Sequence, residues 1–132
     1  MDLNKFCPNW TGTQLTGTAT ISDTGTNDTL GFAFAGCTFG TVTLGGNYLT
    51  GADAIFGAQG TASTVIWDTA NNALVFKFGN DPNGSSGAGT LNAGVATGQP
   101  TYSPPQSVTD AAGNLIGTVS YTAPVAAKSG LG

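Results

Sequence analysis

The sequence predicts an all-β fold, an antiparallel β-sandwich or jelly-roll-like barrel of about eight short strands. Three observations carry that expectation. Short runs rich in Val, Ile, Leu, Phe and Thr are punctuated by 21 glycines, a mix that favours strands and turns over helices. Residues 15–22, LTGTATIS, alternate strictly, with Leu15, Gly17, Ala19 and Ile21 on one face and Thr16, Thr18, Thr20 and Ser22 on the other. The spelling Asp, three residues, Asn occurs between extended runs at 23–27, 68–72 and 110–114, where Asp and Asn make turns by bonding nearby backbone. At 132 residues the chain is expected to be a single β domain over 1–132. A domain of that size buries roughly two-thirds of its unfolded surface, enough for a core.

In chain order, residues 1–12 hold Phe6, Cys7, Pro8 and Trp10 in no regular period and read as an N-terminal arm that docks. The strand at 15–22 then turns through the first Asp/Asn loop. An antiparallel return sets Ile21 opposite Leu30, Ala19 opposite Phe32 and Gly17 opposite Phe34, so small residues face large ones. A second extended run, 37–44, follows a bend near Gly36 or Gly40 and ends at Gly45 and Gly46. Residues 48–58 are the least regular, compatible with a short strand at 54–56 or a helical turn from Thr50.

The most legible stretch is 65–78, VIWDTANNALVFKF, which reads as a β-hairpin. With a four-residue loop, Asp68 stands opposite Ala73, Trp67 opposite Leu74 and Val65 opposite Phe76. That register gathers Trp67, Leu74, Val65, Phe76 and Phe78 on a core face and leaves Thr64, Ile66, Val75 and Lys77 on the other. Beyond it, residues 79–89 are loop-like in composition and 90–97 can form a strand. Residues 98–106 contain Pro100, Pro104 and Pro105 and suggest an edge or a connector. The third Asp/Asn loop joins 107–110 to 115–122, and 123–132 is a small-residue C-terminal tail.

Charge is scarce. Lys5, Lys77 and Lys128 are the only cations, all seven acids are Asp, and the net charge is −4. Nucleic-acid binding rests on clustered Lys and Arg that release counterions, so no nucleic acid is expected as a partner. No run approaches the ~20 apolar residues of a spanning helix, so membrane insertion is not expected either. The opening MDLNKFCPNW lacks a basic stretch followed by an apolar segment, so either a signal peptide has been removed or none existed. Cys7 and Cys37 permit one disulfide, although two buried thiols are the alternative.

Catalytic chemistry has little to draw on. His, Glu and Arg are absent, which removes the usual base of nucleophilic triads and the usual zinc ligand, and the aspartates sit in turns and loops. The expectation is no enzyme, no cofactor and no metal site, the Asp/Asn loops being turns rather than calcium ligands. Trp10, Tyr48 and Tyr102 are candidate sugar-stacking residues.

A hairpin apolar on both faces needs a layer on each, and one of those layers is expected from another copy. The candidate interface residues are Ile66, Val75, Phe6 and Trp10. The leading expectation is therefore a non-enzymatic structural protein, a homo-oligomer or part of a larger assembly, at a virion surface or outside the cell. A phage head decoration or minor capsid protein is the specific form. The alternatives are a secreted carbohydrate-binding β-sandwich module and an extracellular fibre or surface-layer subunit.

Overall fold

The computed structural model describes residues 5–8, 10, 12–80, 90–91, 99–106, 108–109, 112–115 and 121–122. These form ten short strands: β1 (Gln14–Ser22), β2 (Thr29–Ala33), β3 (Thr41–Thr43), β4 (Leu49–Thr50), β5 (Ala54–Phe56), β6 (Ser63–Asp68), β7 (Ala73–Lys77), β8 (Thr90–Leu91), β9 (Thr101–Ser103) and β10 (Tyr121–Thr122). The fold is all-β and antiparallel. One eight-stranded sheet runs β10-β9-β3-β2-β1-β6-β7 with β5 also on β1, and β4 pairs β8 separately.

The sheet is organised by β1, which serves two limbs. Its second half, Ala19 to Ile21, lies between β2 and β5, whereas Gln14 to Gly17 pair with β6. Because Phe56 pairs with Ala19 and Ser63 with Gly17, β5 and β6 run in one direction along the same edge of β1, with residues 57–62 looped out between them. The mouth of this excursion is pinned. Ser63 Oγ donates to the Phe56 carbonyl at 2.8 Å and accepts the Gly79 N–H at 2.8 Å, and the Asn80 N–H reaches the Thr61 carbonyl at 2.9 Å. Only glycine fits at 79, where a Cβ would lie 2.2 Å from the Thr61 carbonyl oxygen.

The first limb curls into a half-barrel. A single row of paired residues crosses it: Ala54, Ile21, Leu30, Val42 and Tyr102. The opposite face carries the row Ser22, Thr29, Thr43 and Thr101. Apolar positions in one phase and hydroxyls in the other are what the period of two demands of a sheet with one buried face. Tyr48 and Leu49 close over the inner row, joining Ala19, Ile21, Leu30, Leu44, Ala54 and Phe56 in one core cluster.

A second cluster, built on Phe6, Cys7, Phe34, Phe39, Val65 and Val108, fills the space under the β6–β7 limb. Phe32 belongs to both, its ring stacked on Phe76 with centroids 3.8 Å apart. Small residues on β1 make room for these rings. A Cβ on Gly17 would fall 2.2 Å from the Ala33 carbonyl oxygen and 2.8 Å from the Phe34 ring.

Both hairpin registers expected from the sequence are present. Ile21 pairs Leu30 and Ala19 pairs Phe32, while Val65 pairs Phe76, Trp67 pairs Leu74 and Asp68 pairs Ala73. Other expectations change. The first ladder ends at Thr18 and Ala33, because Phe34 leaves the strand to pack over Gly17. Trp67, expected in the core, is only half-buried and joins neither cluster, although its cross-strand partner Leu74 packs against the second one. The proline-flanked stretch is neither edge nor connector: Thr101 to Ser103 pair with β3 on one side and β10 on the other, and the prolines stand outside that run. No helical turn starts at Thr50, which lies in β4. Residues 92–97 of the 90–97 strand, half of 107–122 and the 123–132 tail fall outside the described residues.

Candidate functional site

The N-terminal arm docks on its own chain. Phe6 is 3% exposed and Cys7 2%, and the Phe6 carbonyl accepts the Thr38 N–H at 2.7 Å. The bond between Cys7 and Cys37 fastens this arm to the segment before β3. Phe6 stacks near Phe39 at 6.0 Å, which spends its ring on the internal core and removes it as an interface residue. Trp10 is half-buried against the same cluster, and its indole N–H donates to the Gly12 carbonyl at 3.2 Å.

The three aromatic residues expected to stack on sugars are not brought together as a platform. Tyr48 is 1% exposed and lies in the first core cluster, so no ring face is open to a ligand. Tyr102 is half-buried on the inner row and donates its hydroxyl to the Phe39 carbonyl at 2.6 Å, with burial pushing its phenol above the ordinary value of 10.0. Trp10 sits in the other cluster.

The aspartate loops hold backbone. In the β6–β7 loop, Asp68 Oδ1 accepts the Ala70 N–H at 3.0 Å and Oδ2 accepts the Asn71 amide at 2.7 Å, while Asn72 takes the left-handed φ of 49°. The Asn71 side-chain bond, then its backbone N–H, holds the Asp68 carboxyl below its ordinary 3.8 against a small opposing desolvation. The first loop reaches further than the sequence implied. Asp23 accepts the Gly25 and Gly51 N–H groups, and Asn27 Oδ1 accepts the Gly45 N–H at 2.7 Å.

Asp28 was not singled out by its sequence context, yet it is fully buried. Its Oδ2 accepts the Tyr48 and Leu49 N–H groups at 2.6 and 2.7 Å, and its Oδ1 accepts the Thr24 N–H at 3.1 Å. Its main chain bonds Gly46 and Leu44 as well. The signal was available: Asp28 is in phase with Leu30 and Phe32, so alternation puts it on the buried face. Three N–H donors there replace water around the side-chain oxygens. The chemistry is that of a loop anchor, since its oxygens are already occupied by backbone. Among the described residues, no group of three or more His, Cys, Asp or Glu gathers.

What stands open is the outer flank of the β6–β7 hairpin. Ile66 and Val75 pair directly, Ile66 half-buried and Val75 42% exposed, with Gln14 on the far side of Ile66. Thr64 and Lys77 form the next pair along. Ile55, 43% exposed, is not part of this patch. It lies beside Thr20, six positions along β1 from Gln14, hence about 20 Å away. The apolar patch is thus small, but β7 is also the end of the sheet: among the described residues no strand pairs with its far side. Sheets normally blunt such an edge with charge, proline or a bulge. The centre of β7 is Leu74, Val75 and Phe76, with Lys77 only at its end.

Comparison with family models, with curated proteins and with solved structures finds no match to this chain.

Proposed function

We propose that the protein is a non-enzymatic structural component that acts by associating with other protein chains, in the manner of a phage head decoration or minor capsid protein. The observation that carries this reading is the hairpin flank, an apolar edge strand whose far side no strand among the described residues pairs, beside the exposed Val75 side chain. An edge of that kind offers a row of N–H and C=O groups to another strand. Two further features support it. The described carboxylates hold loops, Tyr48 is spent in the core with Trp10 and Tyr102 half-buried, and the near absence of charge suits a subunit surrounded by like subunits better than one facing packaged genome. The Cys7–Cys37 bond is compatible with a particle exposed to oxidising surroundings.

The test is size in solution by chromatography with light scattering, for the wild type and for Val75→Lys. Association that weakens in the variant, with the melting temperature little changed, is the expected outcome, because a lysine is soluble on an open flank and unpartnered in a closed one. A wild type that remains monomeric at high concentration and shifts on polysaccharide gels would replace this reading with a sugar-binding one.

A further inference from the structure

Resting on the assembly reading, we infer that the partner of β7 is β7 of a second copy, paired antiparallel about a two-fold axis through Val75. Register selects this pairing. Antiparallel partners share a face, so any pairing displaced by one residue would set the outward Val75 against the inward Leu74 or Phe76. Of the in-phase registers, a two-residue shift toward the hairpin tip brings in Asn72, whose φ of 49° has left the extended region. The opposite shift brings in Gly79, whose N–H is already given to Ser63 Oγ. The register centred on Val75 keeps all pairing within Ala73–Lys77.

That register is self-complementary on both faces. On the outer face Val75 meets its own copy, beside the half-buried Ile66 of each chain. On the inner face Leu74 meets Phe76, and both are half-buried in one copy alone. At the ends, Lys77 stands beside the small Ala73 of the other copy, and directly beyond Ala73 on that face lies Asp68. Two strand spacings, roughly 10 Å, separate the Lys77 and Asp68 backbones, within reach of an extended lysine side chain crossing an alanine. Within one chain the two charges sit at opposite ends of the hairpin, four positions apart along β7. The two-fold brings each Lys77 to an Asp68 twice over, and the interface is isologous as closed dimers require. The result joins two eight-stranded sheets into one.

Cysteine cross-linking in the otherwise intact chain reads the register directly. At the axis, directly opposed residues have Cα atoms about 4.5–5.5 Å apart, inside the range of a disulfide. Lys77 and its copy would be about 14 Å apart, outside it. Under mild oxidation Val75→Cys is expected to double in mass on a non-reducing gel, whereas Lys77→Cys and Ile55→Cys remain single chains. Linkage at Ile55 or Lys77 as readily as at Val75, or an assembled wild type whose Val75→Cys form does not link, would overturn the edge pairing and leave the assembly reading standing. A wild type that sediments as a monomer, with no linkage in any variant, would overturn both.

Discussion

Replacing Asp28 separates a structural anchor from an ordinary turn residue. In Asp28→Ala the N–H groups of Tyr48, Leu49 and Thr24 lose a charged acceptor, and the first two lie in the core. Each buried donor deprived of its partner costs about 1–3 kcal/mol, so the two in the core together cost roughly 2–6 kcal/mol. Against a total stability of about 5–15 kcal/mol that is a large fraction. With a urea slope of about 1–3 kcal/mol per molar, the unfolding midpoint should fall by about 2 M. Asp28→Asn can leave its oxygen facing Tyr48 and Leu49 while its amide confronts the Thr24 N–H, so a smaller loss of about 1–2 kcal/mol is expected. Asp23→Ala supplies the comparison. It removes two acceptors of similar geometry, from Gly25 and Gly51, but in exposed positions where water takes over, and it should cost less than about 1 kcal/mol. Equal losses for Asp28→Ala and Asp23→Ala would refute the claim that burial of the carboxylate is what matters.

Gly17→Ala should destabilise by about 1–3 kcal/mol, because the added Cβ meets the Ala33 carbonyl and the Phe34 ring, while Gly31→Ala, pointing into open space, should change the same denaturation curve by less than about 0.5 kcal/mol. Asn71→Ala should move the Asp68 carboxyl, followed by carbon NMR, up toward 3.8. Since a lowered carboxyl contributes stability above its unfolded value and loses it as pH falls through the folded one, the variant should lose less of its stability as pH falls below 3.8. Replacing both Cys7 and Cys37 by Ala frees a loop with a separation of 30 residues. Chain entropy sets that at about 3–4 kcal/mol, or a drop of roughly 10–15 °C in melting temperature by calorimetry. A shift of only a few degrees would mean that the packing of Phe6 holds the arm unaided.

The local order of the chain was legible because alternation carries its own check. In the 15–22 strand and its partner both sides of the pairing agree on which face is apolar, so a slip of one residue would expose the whole set, and in the 65–78 hairpin the short loop fixes the register. Long-range pairing has no such signature. Nothing in Ala54 to Phe56 or Ser63 to Asp68 announces that both lie along one edge of β1, because the six looped-out residues between them read as an ordinary turn. The prolines around Thr101 to Ser103 forbid donation at their own positions and say nothing about the three residues between them. Among candidate site residues, Ile66 and Val75 were readable from phase alone, since their exposure follows from the register. Tyr48 and Phe6 were not, because their burial depends on segments folding over the sheet from outside any periodic run. Asp28 was hidden by composition, one aspartate in a loop rich in polar residues, although its phase with Leu30 marked it.

The central claim, that the hairpin's open edge is covered by another copy, is tested most directly by hydrogen exchange at β7 over a range of protein concentrations. Every second amide of an edge strand faces away from its neighbour and exchanges freely unless another strand takes it. These β7 amides are expected to slow as concentration rises while those of β1, paired within the chain, stay unchanged. Exchange at β7 that is independent of concentration across the range where the protein sediments as an assembly would contradict it.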